Sequence, residues 1–482
     1  MSYSQVSSEE IRRLAQAIAA EIVASAPPEG SKAQQPQPAS HGDGVFNTID
    51  EALRAAREAF FAFDRVGLKH RNKIIAAIRN KLREEARALS TFALEETGLG
   101  RFEDKLEKNL LVIEKTPGPE ILDPLAGSGD DGLFLVEPAP FGVIGAITPV
   151  TNPTSTIICN AIGMLSAGNS VVFNVHPSAK RVSMHSIQMI NRVIVGAGGP
   201  PNLLACIAEP TIKSAQELMK HPLTRLLVVT GGGAVIKAAM NSGKRAICAG
   251  PGNPPAVVDA TADLDQAGRD CVMGHSFDNN IICVDEKEVV VVDAVADQLK
   301  QSMVRHGAVL LDPKDLPRLE KVIFKKMAGQ KGHAEINRDL VGKNASVILG
   351  ELGISAGLEA RTVLVEVPNE HPLLWTEQMM ACLPLTRVRN VNEAIDLAVE
   401  VEGGNFHTAT MHSHDLLALA RMGRKCNCSI FVKNGRAVAG LGAGGEGWSS
   451  FTIASPTGEG LTTARSFSRA RRCTIVDAFR IV

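Results

Sequence analysis

The chain of 482 residues is too long for one ordinary compact core, which predicts two or three packed domains. Its 51 basic residues balance 52 acidic ones, so no overall field would recruit nucleic acid, and no apolar run reaches the roughly 18 residues of a membrane span. Nine cysteines, an odd number scattered through apolar segments, indicate reduced thiols and a cytoplasmic protein. Cys426 and Cys428 lack recognisable partners for a zinc site, so we expect no metal.

The N-terminal segment differs in composition from the rest. Apolar side chains recur there at helical spacing, at Ile11, Leu14, Ile18 and Ile22. Residues 1–25 are therefore predicted to form one short amphipathic helix. Residues 26–44 hold four prolines among Gln, Gly, Ser and Ala, which is typical of a flexible linker. A short helix is marginal in water on its own, so we expect it to dock on another surface.

Helical spacing of apolar residues dominates from Thr48 to Thr97, and the pattern changes beyond Phe141 to short β-rich runs that alternate with helical stretches. This alternation predicts an α/β fold with parallel strands and helices on both faces. The strands predicted for a first domain are Val143–Ile147, Val171–Val175, Leu203–Ile207 and Leu226–Thr230. Those predicted for a second are Glu288–Val292, Ser346–Leu349, Thr362–Val367 and Ser429–Val432. Parallel sheets bind ligands at the carboxyl ends of their strands, and we expect the active site in the cleft between the domains.

Three segments of the first domain have the composition of ligand-binding loops. Thr230, Gly231, Gly232 and Gly233 run from a strand into a helix, where glycines let a phosphate approach backbone N–H groups. A tight strand-to-helix turn also needs glycine, so this alternative stays open. Asn152 precedes Pro153 after the first strand, as an oxyanion donor or a helix cap. His176 follows the second strand.

Cys283 is the candidate nucleophile. Any one of nine cysteines in a cytosolic protein is more often a small buried hydrophobe. The residues Asp278, Asn279 and Asn280 before it form a polar turn ahead of an apolar strand, where a side chain could reach a cleft. In such a turn the Cys283 backbone N–H could also face a substrate oxygen.

Together these segments resemble the aldehyde dehydrogenase superfamily. In that superfamily a cysteine attacks an aldehyde, and a glutamate 34 residues earlier activates the water that hydrolyses the acyl-enzyme. The residue 34 positions before Cys283 is Ala249. The resemblance therefore implies a dehydrogenase that transfers its acyl group to coenzyme A (CoA) instead of water, because a thiol with a pKa of about 8.5 is partly ionised at neutral pH.

The resemblance assigns roles to further residues. Asn152 would donate to the developing oxyanion, and Glu377 would bind the nicotinamide ribose unless it is a solvent-facing helix acid. His407 lies in a Gly-x-x-His-Thr segment and has a structural or an active-site role. His176 replaces a lysine that binds the adenosine ribose, which leaves NAD and NADP both open. The remaining residues expected to bind the cofactor are Thr148, Pro149, Thr230, Gly231, Gly232, Gly233 and Gly252.

The resemblance covers residues 45–482. Within the superfamily, the branch that the chain resembles most comprises the CoA-acylating propionaldehyde dehydrogenases of bacterial microcompartments. It implies that the N-terminal helix addresses the enzyme to the shell or to core enzymes. It also implies a β-hairpin near Ile121–Val136, joined by a strand at Cys473–Val476, that builds a homo-oligomer. The expected domains are a dinucleotide-binding domain (45–120 and 137–250), an oligomerisation element (121–136 and 458–482) and a catalytic domain (251–457).

The predicted function is NAD-dependent oxidation of a short-chain aldehyde, propionaldehyde in the first place, to an acyl-CoA through a cysteinyl thioester. The expected location is the cytoplasm, within a microcompartment. Two alternatives stay open: a hydrolytic NAD(P)-dependent aldehyde dehydrogenase whose base comes from elsewhere, and a shell-binding scaffold with a retired site.

Overall fold

The computed structural model describes residues 42–477. The predicted amphipathic helix (1–25) lies outside the described residues, as do residues 26–41 of the predicted linker and residues 478–482. No helix within the described residues combines the length and the apolar character needed to cross a lipid bilayer.

The helices, in chain order, are α1 Ile49–Phe63, α2 Leu68–Thr97, α3 Phe102–Lys115, α4 Pro153–Ser166, α5 Lys180–Gly196, α6 Ile212–Lys220, α7 Gly233–Met240, α8 Leu264–His275, α9 Asp293–Arg305, α10 Leu316–Ile323, α11 Ala345–Glu351, α12 Pro372–Trp375, α13 Val391–Glu402 and α14 Leu416–Cys426. The strands are β1 Val45–Phe46, β2 Leu125–Gly129, β3 Gly132–Pro140, β4 Val143–Ile147, β5 Ser170–Asn174, β6 Leu204–Ile207, β7 Thr224–Thr230, β8 Ala246–Ala249, β9 Pro255–Val258, β10 Glu288–Val292, β11 Ala308–Leu310, β12 Phe324–Lys326, β13 Glu335–Ile336, β14 Thr362–Glu366, β15 Cys382–Val388, β16 Thr408–His412, β17 Ile430–Lys433, β18 Ile453–Ala454, β19 Gly460–Leu461 and β20 Ser468–Val476.

The described chain divides into two compact units. The first unit comprises 42–96, Lys108–Ala249 and 448–477, and the second comprises Thr97–Glu107 and Gly250–Gly447. The expected domain boundaries differ from this division, because 97–107 groups with the second unit and 448–457 with the first. The buried Asp278 carboxylate explains the first difference, since it accepts hydrogen bonds from the Arg101 N–H and the Lys105 ammonium.

A six-stranded parallel sheet in the order β1-β6-β5-β4-β7-β8 forms the centre of the first unit. Its four predicted strands all form, with ends within two residues of those expected. Thr48 caps the N-terminus of helix α1: its side chain accepts from the Glu51 N–H, and the Glu51 side chain accepts from the Thr48 N–H. The buried face of α1 covers the sheet. The chain runs from β4 through β5 to β6 and returns to β7 on the other side of β4. The switch point therefore lies between β4 and β7, where open parallel sheets form a ligand crevice.

The second unit is built on a seven-stranded parallel sheet in the order β11-β14-β15-β10-β9-β16-β17. Alternate residues of β10 enter different cores: Val290 joins the apolar cluster on one face, and Val289 and Val291 join the cluster on the other. The predicted strand Ser346–Leu349 is wrong, because this segment lies in helix α11. Its buried residues Ala345, Ile348 and Leu349 follow helical spacing, which a run this short does not distinguish from a strand.

A three-stranded antiparallel sheet, β2-β3-β20, lies in the first unit. Asp130 and Asp131 connect β2 to β3, and β20 pairs with β3 from Ser468 opposite Pro140 to Val476 opposite Gly132. The hairpin thus runs four residues further than the predicted Ile121–Val136. From Arg469 to Val476 all residues of β20 are exposed.

Candidate active site

The predicted cofactor residues of the first unit gather at one edge of its sheet. Thr148 and Pro149 follow β4, His176 follows β5, and Thr230 ends β7 just before the glycines that open α7. Strands β5, β4 and β7 are neighbours, so these residues share the carboxyl edge at the switch point. Within the described residues the buried Thr148 hydroxyl has no hydrogen-bond partner, so a polar donor or acceptor remains open there.

The glycine loop leaves room for a large anion. A Cβ added at Gly232 or Gly233 would meet no atom within 4 Å, whereas one added at Gly231 would lie 2.8 Å from Val235 Cγ1. Both Gly232 and Gly233 are exposed, and Gly233 begins α7, so free backbone N–H groups point out of the sheet edge. The loop therefore fits the pyrophosphate of a dinucleotide.

His176 caps the short 3₁₀ turn Pro177–Ala179. Its Nδ1 accepts a hydrogen bond from the Ser178 N–H at 3.2 Å, and partial burial lowers the pKa of the ring. A neutral ring cannot replace the charge of a lysine at this position. His176 therefore offers a cofactor one neutral ring nitrogen at most.

Asn152 occupies the N-cap position of α4, but its side chain makes no capping hydrogen bond. Its Oδ1 accepts from the Lys108 ammonium at 2.7 Å, and its Nδ2 donates to Thr151 Oγ1 at 3.1 Å. The capping alternative for this side chain is therefore wrong. The buried lysine determines the orientation of the amide.

The predicted site residues of the second unit precede their strands, whereas those of the first unit follow theirs. Gly252 precedes β9, Cys283 precedes β10, Glu377 precedes β15 and His407 precedes β16. The order β15-β10-β9-β16 makes these four strands consecutive neighbours. The residues therefore lie at the amino edge of the sheet, not at the carboxyl edge where parallel sheets usually bind ligands.

Contacts around Gly252 bring these residues into one cluster. Its N–H donates to Glu377 Oε1 at 3.3 Å, and a Cβ added at this position would lie 2.9 Å from both the Cys283 carbonyl oxygen and His407 Cγ. Only glycine fits such an approach without displacing the catalytic candidates. Glu377 lies half-buried in the loop after α12, so the alternative of a solvent-facing helix acid is wrong.

Cys283 is half-buried in a turn. The preceding Asp278, Asn279 and Asn280 have left-handed backbone angles, with φ of 47°, 55° and 67°, and all three are fully buried. Asp and Asn adopt this conformation more readily than other residues with a Cβ, and the surrounding bonds hold it. The expected polar turn exists, but its side chains face the interior, and the strand begins only at Glu288.

Burial controls the protonation of the cluster. It raises the pKa of Cys283 to about 12; the Glu377 charge also raises this pKa and the Lys287 charge lowers it. Burial lowers the pKa of His407 to about 3, and the Lys287 charge adds to this effect. His407 is thus a neutral ring, with Nδ1 2.9 Å from Thr408 Oγ1 and with Nε2 lacking a partner among the described residues.

Ala249 is the last residue of β8 and is 2% exposed. Its carbonyl oxygen accepts from the Gly231 N–H at 3.1 Å. The position expected to carry the water-activating carboxylate in hydrolytic relatives is therefore a buried methyl group.

Two lysines of these sites were not predicted from the sequence. Lys108 contacts Asn152 across 44 positions of the chain, which no local pattern reveals. Lys287 is fully buried four residues after Cys283. The sequence does contain a signal for it, because the four charged residues Asp285 to Glu288 stand directly before the run of valines in β10. Charged residues next to a buried strand are not expected to lie on a solvated face.

A profile described as the aldehyde dehydrogenase family matches residues 39–462. The chain belongs to this family. The match and the solved structures below confirm the predicted α/β, aldehyde dehydrogenase-like fold class. Within residues 42–477 no group of three or more His, Cys, Asp and Glu side chains is placed to hold a metal ion.

Curated relatives cover nearly the whole chain. The acetylating acetaldehyde dehydrogenase of Salmonella typhimurium is 49% identical over 92% of this chain and 96% of its own length. The CoA-propanoylating propanal dehydrogenase of the same organism is 44% identical over 93% of this chain and 94% of its own.

Solved structures agree with these relatives. The propionaldehyde dehydrogenase of Rhodopseudomonas palustris, with bound CoA and an acylated cysteine, superposes with a TM-score of 0.88 at 48% identity, over 92% of this chain and all of that one. A propionaldehyde dehydrogenase from the fucose utilisation microcompartment of Clostridium phytofermentans superposes with a TM-score of 0.88 at 44% identity, with the same coverage of both chains.

Proposed function

We propose that this protein is an NAD-dependent, CoA-acylating aldehyde dehydrogenase that converts a short-chain aldehyde to its acyl-CoA. The observation that carries the proposal is Ala249. This buried methyl group stands where a hydrolytic family member needs a carboxylate, in a chain that shares nearly half of its residues with acylating relatives. The alternative of a scaffold with a retired site is disfavoured, because Cys283 and its cluster are intact.

Cys283 is the proposed nucleophile. Its thiolate attacks the carbonyl carbon, and the resulting oxyanion accepts hydrogen bonds from the Cys283 backbone N–H and the Asn152 amide. Each such donor typically lowers the barrier by about 3 kcal/mol. The chemistry that NAD supplies when bound is acceptance of a hydride. Thr148, Pro149, His176 and the Thr230–Gly233 loop are the proposed binding residues in the first unit, with Gly252 and Glu377 in the second.

CoA releases the acyl group from Cys283. The CoA thiolate attacks the thioester carbonyl, the bond to Cys283 Sγ breaks, and Cys283 leaves as a thiolate. A thiol with a pKa of about 8.5 needs little help at neutral pH, whereas water, with a pKa of about 15.7, needs a base. His407 is neutral and fully buried, so we assign it a positioning role in the cluster.

The decisive experiment follows reduced cofactor, acyl-CoA and free acid with acetaldehyde, propionaldehyde and butyraldehyde, each with and without CoA. We expect one acyl-CoA for each reduced cofactor, and turnover that depends on CoA. Free acid formed at the same rate without CoA would favour the hydrolytic alternative. The chain-length series decides between acetaldehyde and propionaldehyde, the aldehydes in the names of the two Salmonella typhimurium relatives. Repeating the assay with NADP tests the choice of cofactor.

Two features of the assembly belong to the same proposal. The exposed three-stranded sheet β2-β3-β20 is the proposed homo-oligomer contact, to be tested by light scattering of a variant in which aspartate replaces the exposed apolar residues Ile475 and Val476 of β20. The amphipathic segment 1–25 is the proposed address to a microcompartment shell or its core enzymes. The relative from a microcompartment supports this location.

A further inference from the structure

Lys287 is a fully buried lysine beside the candidate nucleophile. Its ammonium donates three hydrogen bonds: to the Asn280 carbonyl at 3.0 Å, to Asn280 Oδ1 at 2.8 Å and to the Ile282 carbonyl at 3.0 Å. Ile282 is bonded directly to Cys283. The lysine thus ties together the left-handed turn and the residue that precedes the nucleophile.

The charge of Lys287 lacks the partner that a buried charge normally has. Its three acceptors are neutral oxygens, and in residues 42–477 it forms no ion pair with a carboxylate. Lys105, which binds the same turn, is paired with the Asp278 carboxylate at 3.1 Å. A buried ammonium without a carboxylate partner is costly, and a negative charge that forms nearby during the reaction would offset this cost.

We propose that Lys287 is a positioning residue that holds the Cys283 turn and supplies the positive charge that favours the Cys283 thiolate. This inference rests on the proposed function, in which Cys283 is the nucleophile. The thiolate forms next to Ile282, whose carbonyl oxygen is already held by the ammonium. The Lys287 charge lowers the pKa of Cys283 and so favours the ionised thiol, while Glu377 and Asp285 act against it.

Other titratable groups face Lys287 and define what a pH profile must separate. His275 and His407 are neutral rings whose pKa burial lowers to about 3, so neither titrates between pH 7 and 9.5. Burial raises the pKa of Glu288 and of Glu377, and the Lys287 charge opposes both shifts. Removal of the lysine charge would raise these two pKa values further and so favour the neutral carboxyl groups. No negative charge is therefore added near Cys283, and the loss of the positive charge is the main electrostatic change there.

The test measures alkylation of Cys283 by iodoacetamide between pH 7 and 9.5 in the full-length protein, with the modified peptide quantified by mass spectrometry. Below its pKa a thiol reacts in proportion to its thiolate fraction. Lys287→Gln retains hydrogen-bond donors and removes the charge, so we expect a fall of about 10- to 100-fold in the alkylation rate at each pH. Lys287→Arg retains the charge and should stay within a few-fold of the wild type. Free glutathione added to each reaction serves as the reference thiol, because its alkylation rate at a given pH is the same whichever variant is present.

An equal rate in Lys287→Gln and the wild type would overturn the inference, as would a slower rate in Lys287→Arg than in Lys287→Gln. If Lys287 had a purely structural role, its replacement by Gln would loosen the turn and speed alkylation. Faster alkylation in Lys287→Gln than in the wild type would therefore also overturn the inference. The steady-state rate of acyl-CoA formation should fall in parallel. Turnover retained by Cys283→Ala would instead refute the proposed function, and the alkylation comparison would still decide the effect of Lys287 on the thiol.

Discussion

The Lys108 ammonium lies 2.7 Å from Asn152 Oδ1, and both side chains are buried. An ammonium can only donate hydrogen bonds, so the atom facing it must be the amide oxygen. The two N–H donors of Asn152 therefore point away from the lysine. A buried cation thus orients the amide proposed to stabilise the oxyanion, and it increases the polarity of that amide as a donor.

Removal of either the Asn152 amide or the Lys108 ammonium should slow acyl-CoA formation. Asn152→Ala loses an oxyanion donor, and we expect kcat to fall by about 10²–10³. Lys108→Met leaves the amide free to rotate and should lower kcat by roughly ten-fold to a hundred-fold. The double variant should be hardly slower than Asn152→Ala, because both changes remove one function. Multiplicative losses in the double variant would show that Lys108 acts independently of Asn152.

Cys283→Ala should abolish both aldehyde oxidation and the reverse reduction of acyl-CoA, while the melting temperature stays close to that of the wild type. The matched control is Cys428→Ala, which removes the other half-buried thiol and should leave the kinetic constants unchanged. The measurement is steady-state turnover in both directions, with circular dichroism to monitor the fold. Appreciable turnover in Cys283→Ala would refute the assignment of the nucleophile.

Ala249→Glu tests the absence of a base. If position 249 reaches the acyl-thioester, the new carboxylate should raise free-acid release without CoA, by at most the 10²–10⁴-fold that a well-placed base provides. Burial will raise the pKa of this carboxylate and lower stability, so the gain should grow with pH. Ala249→Gln is the control, with nearly the same shape and no basic group. Equal acid release by both variants would mean that position 249 does not face the thioester.

His412 should make stability sensitive to acid. It is 2% exposed, and burial lowers its pKa to about 4, with Asp270 opposing this effect and Arg269 adding to it. Because the folded state keeps His412 neutral and the unfolded state protonates it below about pH 6.5, its contribution to stability is complete above pH 6.5. This contribution is lost as pH falls toward 4. Between pH 7 and 5, the wild type should lose about 2 kcal/mol more unfolding free energy than His412→Gln.

The control for this measurement is the exposed His414, whose replacement by glutamine should leave the pH dependence of urea unfolding unchanged. An identical pH dependence for the wild type and His412→Gln would show that His412 does not stay neutral in the folded state.

Deletion of residues 2–41 should leave kcat and KM within two-fold of the wild type and should prevent entry into a microcompartment shell. The deletion must end before Gly42, because its carbonyl accepts from the Gln188 side chain and Asp43 pairs with Arg192 at 2.9 Å. Co-purification with shells from co-expressed shell proteins measures the targeting. Loss of activity or of the oligomer would contradict this role and would indicate that the segment acts on the enzyme's own assembly.

Much of the architecture followed from local patterns. Apolar spacing predicted α1 and α2, and β-rich runs predicted the strands of the first sheet within two residues, because buried parallel strands need nearly continuous apolar residues. The strand predicted for Ser346–Leu349 was wrong, since a run of four residues, three of them apolar, fits the helical and the strand period equally well. Strands β9, β15 and β16 were not predicted, although three of the four site segments of the second unit directly precede them.

The sequence by itself determined the chemical types available: a cysteine in a polar turn, an alanine 34 positions before it, and glycines at the end of a strand. The tertiary structure decided which groups meet. It brought Gly252, Cys283, Glu377 and His407 to one edge through the strand order β15-β10-β9-β16, and it placed Lys108 on Asn152 and Lys287 beside Cys283. Such contacts depend on burial and on pairing between distant segments, and the energies of buried charges depend on these surroundings more than on the neighbours along the chain.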